Sequence, residues 1–424
     1  MGMNETPASE RKHIAFFGCR NAGKSSLLNA VTGQNLSIVS DVLGTTTDPV
    51  YKAMELLPAG PVVVVDTPGL DDEGELGKQR IVKAKEVLRK TDLAVLVVDS
   101  AKGFGREDEE ILDAIKDRKI SFIVVYNKSD ISKAPVTSDI KSVVTNDDGS
   151  SDTKAEKGAS LTGETKDNSK SVLLSVSALT GEGIFELKEA IAKLLNDSDN
   201  DKVLIGDLVS TNDLVVLVVP IDKAAPKGRL ILPQQQTIRD LLDHGAIPLV
   251  CRDSELEGVV AKYKADIKLV VTDSQAFKKV SAIVPDDIPL TSFSILFSRY
   301  KGELDYQLEG VEALKNLKDG DYVLIAEGCT HHRQCGDIGT EKIPAMLKKA
   351  GNLNIDFVHG VEYPDDLDKY KVIIHCGGCM LNEKEMKYRI EAAKQRGVAI
   401  TNYGMCIAYF TGVLERSIKP LMGL

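Results

Sequence analysis

The sequence predicts an α/β protein of three parts: an N-terminal parallel-sheet domain that opens on a phosphate-binding loop, a small α/β middle domain and a C-terminal doubly wound α/β domain. Three observations predict it. Short apolar runs alternate with amphipathic stretches from Ile14 to Ser177 and again beyond Ile288, the pattern of parallel strands covered by helices. The loop Gly18–Ser25 fits GxxxxGK[ST] between a predicted strand and a predicted helix. The length of 424 residues accommodates about three domains at roughly 150 residues each.

The first domain, residues 1–200, takes its strands from Ile14–Phe17, Val62–Asp66, Leu93–Asp99, Ser121–Asn127 and Val172–Ser175. Thr145–Ser171 is rich in Ser, Thr, Asp, Lys and Gly, buries too little to order itself, and is expected to be a mobile surface insertion. A helix with apolar residues three and four apart, Ile184–Leu195, closes the domain before a polar linker. The middle domain, residues 203–287, has strands at Leu214–Pro220 and Ile267–Thr272 around a helix at Gln236–His244. It carries no chemistry-bearing cluster. The third domain, residues 288–424, alternates strand Tyr322–Ala326, helix Lys342–Ala350, strands Asn354–Val358 and Val372–Ile374, helix Lys384–Arg396 and strand Val398–Thr401.

Composition narrows the function. The chain has 43% hydrophobic and 27% charged residues, ordinary globular values. Its net charge of −10 disfavours work through nucleic-acid backbones, so no nucleic-acid partner is expected. No run approaches the roughly 18 apolar residues of a membrane span, and Met1–Lys12 is polar, so no membrane partner is expected and the compartment is a reducing cytosol. The seven cysteines are too few for a disulfide scaffold, and four of them lie between Cys329 and Cys379, with His331, His332 and His375 in the same stretch.

The nucleotide site reads as an ordered set of loops. Gly18, Asn21, Ala22, Gly23, Lys24, Ser25 and Ser26 form the phosphate loop and its exit. There inward N–H groups surround phosphate, Lys24 adds charge, and the Ser25 hydroxyl ligates Mg²⁺. Asp66-Thr67-Pro68-Gly69 follows a strand, placing a carboxylate for a Mg²⁺-bound water and the Gly69 N–H for a γ-phosphate. Asn127-Lys128-Ser129-Asp130 follows another, and a carboxylate there accepts from N1 and N2 of guanine, which adenine cannot match; the nucleotide is GTP. Ser177-Ala178-Leu179 backs the base.

In the third domain, Cys329-Thr330-His331 and His375-Cys376-Gly377-Gly378-Cys379 each follow a predicted strand, at the edge where doubly wound folds place ligands. Three ligand chemistries are open on these residues: a Cys₃His zinc site, a 4Fe-4S cluster with an exchangeable fourth ligand, and a dithiol at Cys376 and Cys379. Cys19, Cys251, Cys335 and Cys406 read as packing or incidental thiols, and His13, His244 and His359 as histidines without metal-ligand neighbours.

The loop set resembles the TrmE/Era branch of the small GTPase superfamily, including the GTTxD-like element Gly44-Thr45-Thr46-Thr47-Asp48. The resemblance implies that Thr46 closes over Mg²⁺ and that Asn21 helps seat K⁺. Leu70 stands where Ras-like proteins carry a water-orienting glutamine, so slow, K⁺-stimulated hydrolysis is expected, with Lys24, Thr46, Asp66 and Gly69 as its catalytic residues. With the C-terminal CxH and HCxxC groups, Asp337-Ile338-Gly339 and Thr401-Asn402-Tyr403-Gly404, the whole chain is similar to the HydF family of FeFe-hydrogenase maturation GTPases. That similarity implies a scaffold or carrier that holds a 4Fe-4S cluster on Cys329, Cys376 and Cys379 and passes a diiron subcluster precursor to apo FeFe-hydrogenase. The fourth ligand comes from Glu327, His331 or His375, the radical-SAM maturases are further partners, and the middle domain joins a homodimer. The reading from a different class is a regulatory GTPase acting on RNA or ribosomes with a structural zinc.

Overall fold

The computed structural model describes residues 10–34, 48–69, 75–132, 155–156, 160–164, 170–196, 203–221, 230–301, 304–328, 337–360, 362–364, 366–378 and 381–422. The chain forms two compact units, Met1–Asn200 and Asp201–Leu424. Thr46, Leu70, Cys329, His331, Cys335 and Cys379 lie outside the described residues.

The first unit is built on one sheet of order β2-β3-β1-β4-β5-β8-β7-β6. Its centre is parallel: β1 (Lys12–Phe17), β3 (Gly60–Asp66), β4 (Leu93–Asp99), β5 (Ser121–Asn127) and β8 (Lys170–Ser175). Every residue of β4 is buried, because a central parallel strand is covered on both faces and selects a continuous apolar run. Successive residues point to opposite faces and feed two separate cores. Ile14, Phe16, Val95 and Val97 enter one with α1 (Lys24–Thr32) and α4 (Ile184–Asn196). Ala15, Phe17, Leu96 and Val98 enter the other with α2 (Glu75–Leu88) and α3 (Arg106–Asp117). Glu107, Asp108 and Glu109 open α3, where carboxylates complement the helix dipole.

Two parts of this sheet depart from expectation. β2 (Val50–Leu56) pairs antiparallel with β3 at one edge, and its mostly exposed side chains gave no strand signal. The insertion expected to be mobile over 145–171 contributes β6 (Ala155–Glu156) and β7 (Ser160–Glu164), which extend the other edge antiparallel to β8. Backbone pairing to an existing strand orders these polar residues without requiring a core of their own.

The second unit holds two four-stranded all-parallel sheets. The middle sheet, of order β10-β9-β11-β12, contains β9 (Leu214–Val218), β10 (Ile247–Cys251), β11 (Ile267–Thr272) and β12 (Leu290–Ser292). It is covered by α5 (Leu232–Asp243), α6 (Leu256–Tyr263), α7 (Phe277–Ile283) and α8 (Phe293–Lys301). The boundary expected at 287/288 moves: β12 pairs with β11 beyond it, and Phe293, Leu296 and Phe297 of α8 fill the core of that sheet. Each such buried aromatic or leucine contributes about 1.5–3 kcal/mol over exposure.

The C-terminal sheet, of order β14-β13-β15-β16, is formed by β13 (Tyr322–Glu327), β14 (Asn354–His359), β15 (Tyr370–His375) and β16 (Ala399–Asn402). Around it pack α9 (Leu304–Lys315), α10 (Ile343–Leu347), α11 (Glu383–Gln395), α12 (Tyr403–Phe410) and α13 (Leu414–Ile418). The middle and C-terminal sheets share one unit, and α13 shows how they are joined. The Arg416 guanidinium donates to the carbonyls of Ser281, Val284, Pro285 and Ile288 at the end of α7.

Candidate functional site

In the first unit, the loop after β1 leads into α1 beside the ends of β3 and β5. Gly23 carries φ 88°, and a Cβ there would lie 2.3 Å from Asn127 Nδ2, so glycine lets the two loops touch. Asn127 locks them together: its Nδ2 donates to Ala22 O at 3.0 Å and its Oδ1 accepts from Ala178 N at 3.0 Å. Lys24 Nζ donates to the carbonyls of Gly18 at 2.7 Å and Cys19 at 3.0 Å, folded over its own loop. Ser25 Oγ donates to Asp66 Oδ2 at 2.9 Å. Burial pushes the Asp66 carboxyl up, against the pull of Ser25 and Lys24, and its Oδ1 is buried without a hydrogen-bond partner. A cation-bound water beside Ser25 would meet that orphaned oxygen, so the donor set fits Mg²⁺.

The expected base loops also converge. Ser177 Oγ donates to Asp130 Oδ1 at 2.5 Å and accepts from Thr180 N at 3.1 Å, which ties the Asp130 carboxylate to the loop after β8. Lys128, at φ 67°, reaches Asp99 Oδ2 at 2.6 Å. Gly69 lies against the phosphate loop, where a Cβ would stand 3.0 Å from Arg20 N. Asn21, with φ 64°, and Ser26 are exposed at the loop and the start of α1. Cys19 Sγ lies 3.5 Å from Asp108 Oδ1, a side-chain contact between the loop and α3.

In the C-terminal sheet the strand register puts the ligand candidates on one edge. Glu327 pairs with His359 across β13 and β14, Ala326 with His375 across β13 and β15, and His375 with Asn402 across β15 and β16. The strand order reverses between β13 and β15, the switch point where such sheets open a crevice. Cys376 sits there. Its Sγ accepts from Gly328 N at 3.0 Å and from Gly378 N at 3.4 Å, two backbone donors of the kind that suit a metal-bound sulfur.

The three candidates for the fourth position fare differently. His375 does not reach this pocket. It is 1% exposed, its Nδ1 donates to Cys376 O at 2.7 Å, and its Nε2 accepts from Arg389 at 3.0 Å. Burial, then the neighbouring Arg389 charge, pull its pKa down to about 3. Both ring nitrogens of His375 are thus hydrogen-bonded, to Cys376 O and to Arg389. Glu327 stays at the pocket and is held from two sides, by His359 Nδ1 at 2.8 Å and by the Tyr403 hydroxyl, which donates to Oε1 at 3.2 Å. His359, expected to lack metal-ligand neighbours, thus contacts a candidate ligand. His331 lies outside the described residues, among which no group of three metal-binding side chains occurs.

Sequence reasoning missed His359, Arg389, Tyr403 and Lys301. A histidine at the end of a predicted strand, in register with Glu327, was a signal for the first. Tyr403 stood in a noted stretch without a role. The helix residues Arg389 and Lys301 gave none. Cys406, read as a packing or incidental thiol, is 0% exposed in the core, its thiol pushed up to about 12 by burial.

Comparison with known proteins gives three family matches along the chain. Residues 13–128 match a 50S ribosome-binding GTPase model, 204–302 the Hydrogen maturase F dimerization domain and 305–420 the Hydrogen maturase F tetramerization domain. The last two together span just over half of the chain. Among curated relatives, GTPase Der of Sulfurimonas denitrificans is 38% identical over 132 residues, 30% of this chain and 26% of that protein. The tRNA modification GTPase MnmE of Clostridioides difficile is 32% identical over 200 residues, 47% of this chain and 36% of that protein. The chain therefore spans well under half the length of either. A solved structure of an Era variant from Aquifex aeolicus bound to GDP and aluminium fluoride aligns at 21% identity and TM-score 0.32, over 57% of this chain and 92% of that one.

Proposed function

The chain belongs to the hydrogen maturase F family, and on that premise we propose that it is a GTP-hydrolysing scaffold that holds a 4Fe-4S cluster and delivers a diiron subcluster to apo FeFe-hydrogenase. The observation that carries the reading is the setting of Cys376. Its sulfur sits at the switch point of the C-terminal sheet, accepts two backbone N–H bonds, and has the Glu327 strand end beside it. A structural or disulfide cysteine needs none of these.

In the first unit, Lys24 and the N–H groups of 21–26 bind the phosphates, and Lys24 would exchange its present carbonyl partners for phosphate oxygens. Ser25 and Thr46 hold Mg²⁺, with Asp66 bound through water. The Gly69 N–H meets the γ-phosphate, and Asp130, braced by Ser177, selects guanine over adenine, with Ala178 behind the base. With Leu70 in place of a water-orienting side chain, turnover is slow. Asn21 is the position for K⁺, whose charge would assist the transition state. Faster GTP turnover in K⁺ than in Na⁺ buffer is the expected result, and equal turnover would contradict it.

In the second unit, Cys329, Cys376 and Cys379 hold the cluster, and Glu327 is the fourth ligand we favour over His331. An oxygen donor on a thiophilic iron exchanges readily, which is the chemistry a carrier requires. The middle sheet supports pairing between subunits: β10 is an edge strand with Ile247 and Val250 about half exposed, and the matched domain descriptions point to oligomers. We place the homodimer at this edge. The partners are apo FeFe-hydrogenase and the radical-SAM maturases, met in a reducing cytosol; no helix among the described residues is long and apolar enough to cross a membrane. The reading as an RNA-directed GTPase with a zinc site draws on the N-terminal matches, which stop at residue 128 for the family model. Activation of apo-hydrogenase by the loaded chain, lost in Cys376→Ala, would support delivery; equal activation by that variant would refute it.

A further inference from the structure

We propose that Lys301, the last residue of α8 in the middle domain, is a positioning residue for the Cys376 sulfur, reaching across from one sheet's cover to the other sheet's ligand turn. The inference rests on the reading above that Cys376 is a cluster ligand.

Lys301 is 5% exposed, an unusual place for an ammonium group, and its Nζ lies 5.7 Å from the Phe297 ring centroid. The ammonium donates to Gly378 O at 3.3 Å and to Leu381 O at 3.2 Å. Those two carbonyls stand two and five residues after Cys376 in the chain. Gly378 takes the left-handed φ of 61°, its N–H donates to Cys376 Sγ at 3.4 Å, and its carbonyl also accepts from Leu381 N at 3.1 Å. Leu381 in turn closes on Gly328, the second donor to the same sulfur: a Cβ on Gly328 would meet Leu381 Cδ1 at 2.7 Å. One buried cation therefore holds the carbonyl of Gly378, which donates one N–H···S bond to Cys376, and the carbonyl of Leu381, whose side chain lies against Gly328, the other donor.

The consequence is specific. N–H···S bonds stabilise an anionic sulfur and raise the reduction potential of a cluster bound to it. Loosening a group that orients a metal ligand typically costs about 10- to 100-fold in metal affinity. Lys301→Met removes the clamp and keeps the apolar stem. Lys301→Gln, one atom shorter and uncharged, cannot hold both carbonyls, and Lys301→Arg keeps the charge and the donors.

The test uses the full chain, reconstituted anaerobically with ferrous iron and sulfide, and reads two quantities: the midpoint potential by EPR-monitored titration and the rate of iron loss to a ferrous chelator. Lys301→Met is expected to shift the potential negative and to lose iron about 10- to 100-fold faster, with Lys301→Arg close to the native chain. Melting by circular dichroism establishes that the variant is folded; should Lys301→Met not fold, Lys301→Gln is read in its place, with the same shift expected. Native potential and native chelation rate in a folded Met or Gln variant would overturn the inference alone. A native chain that takes up no cluster would overturn the cluster reading and the inference with it.

Discussion

Replacing Arg389 by methionine should unsettle the second unit more than any change on its surface. Arg389 is 0% exposed and Glu385, one helical turn earlier on α11, is 1% exposed. Their Nε–Oε1 bond is 2.9 Å, a second nitrogen donates to His375 Nε2 at 3.0 Å, and a third donates to Gly360 O at 2.9 Å. The guanidinium also stacks 4.9 Å from the Tyr363 ring centroid. Methionine fills much of the volume but leaves a buried carboxylate whose other oxygen, Oε2, already lacks a partner. Removing one member of a buried ion pair costs about 3–5 kcal/mol, because the remaining charge is stranded. With a slope near the upper end of about 1–3 kcal/mol per molar urea, the midpoint of unfolding falls by about 1–2 M. The assay is urea unfolding of the full chain followed by far-ultraviolet circular dichroism. Arg389→Met combined with Glu385→Leu should recover much of the loss, since a fully apolar replacement strands no charge. A single variant within about 0.3 M of the native midpoint would refute the reasoning.

Three further outcomes follow from the same geometry. His375 is held neutral with a pKa near 3, below its unfolded value of 6.5, so on acidification the unfolded chain takes up the proton first. Its contribution is complete above about pH 6.5 and is lost as pH falls toward 3, at about 1.4 kcal/mol per pH unit; unfolding free energies of the native chain and His375→Gln between pH 7 and 5 should differ by that slope, and parallel curves would contradict it. Asn127→Ala leaves the Ala22 carbonyl and Ala178 N–H without their present partner, at about 1–3 kcal/mol each, so the affinity for fluorescent GDP should drop at least about tenfold; unchanged affinity would show that the lock between the loops is dispensable. Asp130→Asn exchanges an acceptor pair for an amide, and turnover should move from GTP toward xanthosine triphosphate, whose O2 accepts where guanine donates; retained GTP preference would count against Asp130 as the base reader.

Much of this architecture was legible because central parallel strands are apolar along their whole length. Leu93–Asp99, Ser121–Asn127 and Ile267–Thr272 have the expected boundaries. Edge strands were harder to see. β2 and β10 carry exposed, irregular patterns, and β6 and β7 are held by backbone pairing that leaves little trace in polarity. The loop chemistry of the first unit was legible for the opposite reason: phosphate, magnesium and guanine demand particular side chains at particular strand ends. The buried network around His375 was not legible because its partner Arg389 lies 14 residues along on a helix, where an arginine ordinarily faces water. Lys301 was invisible for a similar reason, since a lysine in the last turn of a helix reads as a surface partner of the dipole.

In the proposed function, Cys376 is a ligand of an iron-sulfur cluster. EPR of the full chain after anaerobic reconstitution and reduction, with metal analysis of the same sample, tests it most directly. An axial signal of a reduced 4Fe-4S cluster that disappears in Cys376→Ala is the expected result. One zinc per chain with no reducible cluster would contradict it.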